Sequence, residues 1–112
     1  MALHHIESGE VVDLRPQGAV IDQAQSRALF KSGQLEVMRL VLQAGQAMPR
    51  HSVPGEITLQ CLDGVVEVEV AGHATPLPAG HLMHVRGGVD HALRAVQACA
   101  VLVTVVLRAS AD

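Results

Sequence analysis

From residue 35 to residue 107 the chain is a succession of short β-branched and apolar runs, each closed by a turn signal. The clearest run is Val65 to Val70, Val-Val-Glu-Val-Glu-Val, whose period of two puts Val66, Val68 and Val70 on one face and Glu67 and Glu69 on the other. Leu35 to Leu42, Ile57 to Leu62, His81 to Arg86 and His91 to Val96 have strand length and composition. Ala98 to Leu107 is apolar on both faces, which predicts a strand covered on both sides. Between the runs lie Gln43 to Gly45, Pro54-Gly55, Asp63-Gly64, Ala71-Gly72, Pro76 to Gly80 and Gly87-Gly88. Asp63-Gly64, set between two strand-like runs, predicts a hairpin. Only Gln23 to Phe30 has room for a helix, and it lacks an apolar stripe. Turns about every eight to twelve residues suit an antiparallel sandwich or barrel. The expectation is one all-β domain over residues 1–112, with residues 1–27 as an N-terminal arm and the first strands.

Composition decides what such a fold is able to carry. With 49% hydrophobic and 17% charged residues, the chain has material for a core, which excludes disorder. A net charge of −3, no Trp, no Tyr and a single Phe give neither a cationic field nor stacking rings, so no nucleic-acid partner is expected. Sugar recognition by ring stacking is disfavoured for the same reason. Cys61 and Cys99 lie inside apolar runs, which predicts reduced core thiols in a cytoplasmic protein. The start, Met1 to Glu7, lacks the basic and apolar stretches of a signal peptide, and Ala98 to Leu107 is about half the length needed to span a bilayer, so no membrane partner is expected.

Seven histidines are the candidate chemistry. His4 and His5 are terminal, and His73 lies in a Gly-containing turn where solvent is the expected partner. His51, His81, His84 and His91 sit on or beside strands. One histidine near a core is more often a hydrogen-bonding group than a ligand; several converging on one cavity change that balance. Nucleophilic catalysis has little support, since no nucleophile-elbow motif surrounds Ser52 or Cys61 and Asp90 alternates in face with His91.

The spacing of these histidines with glycines is specific. Gly45, His51 and Gly64 form one block, Gly80, Gly88 and His91 a second, and fifteen residues separate Gly64 from Gly80. This arrangement resembles a small single-domain cupin of the RmlC-like superfamily, whose first motif reads G-x5-H-x-H-x3,4-E-x6-G and whose second reads G-x5-P-x-G-x2-H-x3-N. The motifs span residues 45–64 and 80–95, just under half of the chain with their spacer. The resemblance implies a cupin jelly roll, an antiparallel β-barrel or double-stranded β-helix. Metal-holding cupins use both histidines and the glutamate of the first motif plus the histidine of the second. Of these four positions, His51 and His91 are present; the others are Val53 and Ile57, or Thr58 with the longer spacing. Glu56 is one residue early, which in a strand turns it to the opposite face.

The resemblance therefore implies the barrel with an incomplete ligand set. His84 and Cys61 are the candidates to supplement His51 and His91 for a divalent ion such as Fe, Mn, Ni or Zn. Val53, Ile57, Leu59 and Cys61 are expected to line a mostly aliphatic pocket with two imidazoles at its base. Arg86 beside the His91 turn reads as solvent-facing, with carboxylate binding as the alternative. Three functions stay open: a small-molecule-binding cupin with a partial metal site, a metal-dependent cupin oxygenase or isomerase, and a non-catalytic interaction module. The second apolar face of Ala98 to Leu107 points to packing on another sheet, and so to a homodimer or a second sheet of the same chain.

Overall fold

The alternation at Val65 to Val70 becomes a strand in which Val66 and Val68 have no exposure while Glu67 and Glu69 face outward. Arg94 on the adjacent strand and Arg50, one strand further along the sheet, pair with those carboxylates at 3.5 and 2.8 Å. Such exposed pairs are screened by solvent and add little, so the buried valines, not the charges, hold this strand in place. The computed structural model describes residues 5–15 and 26–107. Its strands are β1 (Arg27–Lys31), β2 (Leu35–Leu42), β3 (Ala47–His51), β4 (Ile57–Asp63), β5 (Val65–Val70), β6 (His73–Pro78), β7 (Leu82–Val85), β8 (His91–Ala95) and β9 (Cys99–Val106). They form two antiparallel sheets, ordered β1-β2-β9-β4-β7 and β3-β8-β5-β6, with no helix among the described residues. Two sheets packed face to face make the jelly roll that the sequence predicts.

One local expectation is overturned. Asp63-Gly64 does not close a hairpin: β4 lies in one sheet and β5 in the other, so this dipeptide is the corner between them. Gly64 has φ +74, and a Cβ there would stand 2.0 Å from the Ala98 carbonyl oxygen. Glycine is required by that close approach as well as by the dihedral. The tight hairpin is the next turn, where Val70 pairs with His73 across Ala71 (φ 51) and Gly72 (φ 83), the left-handed pair that matches strand twist. Gln23 to Phe30, which has room for a helix but no apolar stripe, forms none in its described part: from Arg27 onward it is β1, an edge strand on β2, and residues 23–25 lie outside the described residues.

The core lies between the sheets. Leu59, Cys61, Val66, Val68, Val101 and Cys99 are buried almost completely. β9 is central, flanked by β2 and β4, and its inward residues Cys99, Val101 and Val103 are buried while Leu102 and Thr104 on the outer face are half-buried. The apolar packing therefore closes at the rung of Leu40, Val101 and Cys61. It opens at the rung of Glu36, Val105 and Ile57, two rungs further on.

Candidate functional site

His51 ends β3 and His91 begins β8, and the two are register partners. β3 is an edge strand interrupted by a bulge between Met48 and His51, the natural place for Pro49, which has no N–H to give to a ladder. The extra residue resets the alternation, so Met48 and His51, three apart in sequence, both line the same cavity. The imidazoles stand with centroids 4.4 Å apart and planes inclined at 56°. His91 is buried at 5% exposure, whereas His51 is open to solvent.

Each ring is oriented by its own backbone. His51 Nδ1 lies 3.2 Å from the Pro49 carbonyl and His91 Nδ1 lies 3.1 Å from the Val89 carbonyl. A carbonyl oxygen only accepts, so Nδ1–H donates in both rings and each neutral imidazole keeps Nε2 as its basic atom. The turn carrying His91 is pinned in its turn. Gly88 N–H donates to the Val53 carbonyl at 2.8 Å, and a Cβ on Gly87 would meet the Pro54 oxygen at 2.2 Å. The Gly87-Gly88 turn thus packs on the Val53-Pro54 backbone, and that contact brings the two sequence motifs together.

The histidines face a cavity of about 250 Å³. By rung, Leu40 lies deepest, Met38, Leu59 and Val103 follow, and Glu36, Ile57 and Val105 stand at the opening; Met48, Leu93, Val53, Pro54, Val106 and Leu107 complete the lining. Val53, Ile57 and Leu59 line it, as the sequence suggests. Cys61 does not: it has the inward face but lies at the closed rung, and its Sγ donates to the carbonyls of Asp63 and Gly64 at 3.3 and 3.5 Å. Burial pushes its thiol pKa up and that of Cys99 up to about 11, so neither is a ready thiolate ligand. His51 is exposed and His91 buried, so the imidazole pair runs from the cavity's open side inward.

His84 is not part of this site. It pairs with Thr58 on the outer face of the five-stranded sheet, and its Nε2 contacts Glu56 Oε1 at 2.6 Å, both side chains exposed. Met83 and Val85 take the inward positions of β7. Arg86 is exposed and borders an outer depression with His84 and Glu56. Sequence reasoning missed Glu36, Met38 and Met48; the first two alternate with Val37 and Arg39 in a run where either face reads as apolar enough.

The family resemblance implies a metal, and the donor set tests that implication. The positions that complete the set are the aliphatic Val53 and Ile57, the nearby carboxylate of Glu56 points outside, and no group of three His, Cys, Asp or Glu side chains converges among the described residues. Two imidazoles supply half of a tetrahedral shell. The residues present do not fit a resident cupin metal centre.

Solved structures agree with this architecture. A conserved protein of unknown function from Streptococcus pyogenes is 29% identical, with a TM-score of 0.76 over 98% of this chain and 97% of that one. An RmlC-like cupin from Desulfovibrio desulfuricans is 26% identical, with a TM-score of 0.68 over 96% and 97%. A salicylate 1,2-dioxygenase from Pseudaminobacter salicylatoxidans is 25% identical with a TM-score of 0.60, over 64% of this chain but only 21% of the dioxygenase. No curated protein matches the chain. No helix among the described residues is long and apolar enough to cross a membrane. Residues 38–106, well over half of the chain, match the family model described as a cupin domain, and the chain belongs to that family.

Proposed function

We propose that this cupin binds a small, partly apolar molecule, its aliphatic body against Leu59, Leu93 and Val103 and its polar head at His51 and His91. The observation that carries this reading is the pair of imidazoles, each tied through Nδ1 to a carbonyl and set above an aliphatic pocket. A volume of about 250 Å³ falls just below the usual range for drug-sized ligands, which points to something smaller. The imidazole pair is also the remnant of the family's metal site. A metal-dependent oxygenase or isomerase requires further ligands, and neither His84 nor Cys61 supplies one. A cytoplasmic location is part of this reading, supported by two unpaired buried thiols.

Methyl-labelled methionine tests the pocket directly. Isoamyl alcohol at tens of millimolar is expected to move the methyl signals of Met38 and Met48, which line the cavity, and to leave Met83 unmoved. His91→Ala is expected to abolish that response. Equal movement of Met83, or none at all, sinks the proposal.

The same reading includes a homodimer through the outer face of the five-stranded sheet, where Val37 and Leu102 are half-buried and Leu82 is 65% exposed. Light scattering is expected to give a dimer for the native protein and a monomer for Leu82→Glu. A native monomer ends this assignment.

A further inference from the structure

We propose that Glu36 sets the chemical class of the ligand: a small aliphatic molecule whose head is a hydrogen-bond donor, an ammonium or a hydroxyl, and not a carboxylate. The inference rests on the reading of the cavity as a ligand site and adds what that site selects. Glu36 is the second residue of β2, half-buried, on the mouth-side rung with Val105 and Ile57. It lines the cavity, where its companions apart from the two histidines carry no charge. It has no hydrogen bond or ion pair among the described residues, and its register partner on β1, Lys31, is exposed and makes no ion pair with it. A half-buried carboxylate over an aliphatic pocket is left with its acceptor capacity unused.

The imidazoles point the same way. With Nδ1–H committed to the Pro49 and Val89 carbonyls, each neutral ring offers only an acceptor at Nε2. Pro54 at the mouth has no N–H. The side chains lining the mouth therefore present acceptors on both sheets, and the donor nearest to them is the exposed Lys31 ammonium across from Glu36. A donor head satisfies them, and an ammonium gains in addition from the Glu36 charge. A carboxylate meets like charge and leaves every acceptor unpaired. Glu36 does not complete a metal set: Ile57, the motif's glutamate position, is two strands away on the same rung, about 10 Å at the usual strand spacing.

The test uses three probes of one skeleton, isoamylamine, isoamyl alcohol and isocaproate, titrated calorimetrically at pH 8 in the presence of EDTA. The native protein is expected to bind the amine at least about tenfold more tightly than the carboxylate, since like charges across a pocket are strongly disfavoured. In Glu36→Gln that ratio is expected to collapse to within about threefold, because the amide keeps the shape and removes the charge. Preference for isocaproate in the native protein, or a ratio untouched by Glu36→Gln, overturns the role of Glu36. If the alcohol binds while the charged pair does not separate, Glu36 alone is refuted. If no probe binds either protein, the pocket reading falls with it.

Discussion

Gly64→Ala is expected to lower the melting temperature by roughly 15 °C. Two costs add. Alanine at φ +74 costs about 1–2 kcal/mol for its left-handed backbone. The new Cβ would also stand 2.0 Å from the Ala98 oxygen and 2.9 Å from its carbonyl carbon, and those are backbone atoms at the entry to β9. They cannot rotate aside as a side chain can, so the corner between the sheets must shift, and the sum reaches about 3 kcal/mol. At about 4–8 °C per kcal/mol for a small domain, the shift follows. Gly72→Ala is the control, since Gly72 has φ +83 but open space around its missing Cβ. Thermal unfolding followed by circular dichroism should show Gly64→Ala well below Gly72→Ala. Equal losses would mean that dihedral strain alone matters at the corner.

Val53→His is expected to turn a protein that holds divalent ions poorly into one that binds Ni²⁺ or Zn²⁺ at least about a hundredfold more tightly, because a third imidazole completes the minimum protein set of a catalytic-type site. Val53 already lines the cavity, and its carbonyl is fixed by the Gly88 N–H at 2.8 Å, so the new ring enters on anchored backbone. With free metal at a hundred times its dissociation constant, the variant gains about 2.7 kcal/mol of stability. Calorimetry and a metal-dependent rise in melting temperature, reversed by EDTA and lost on adding His91→Ala, measure it. Native protein that binds these ions as tightly as the variant would contradict the account of an incomplete set.

What the sequence reveals and what it hides follow from the physics of strands. Alternation is local, so the burial of Val66 and Val68 and the outward Glu67 and Glu69 are readable from six residues. Glycine and histidine spacing carries the pairing of His51 with His91, because each motif's turn demands its glycine. Period gives two faces without saying which is inward, and that choice depends on a partner sheet. For His84 a signal was present: its face is shared with Arg86, whereas the alternate face is Met83 and Val85. Cys61 shows the complementary gap, since its parity is correct but position along the strand sets depth. Asp63-Gly64 misleads because a hairpin and a corner both need a left-handed glycine; the choice is made by Ala98, thirty-four residues later.

The placement of β9 bears on how the molecule is made. The last of the described strands is the middle of its sheet, so until the ribosome has released residue 106 both β2 and β4 present bare ladders towards each other. Pairing over such separations in sequence is slow, and nascent chains with open edges are prone to stick to their neighbours. Assembly of this sheet accordingly waits until β9 has emerged, and the interval before β9 docks is when a chaperone has most to offer.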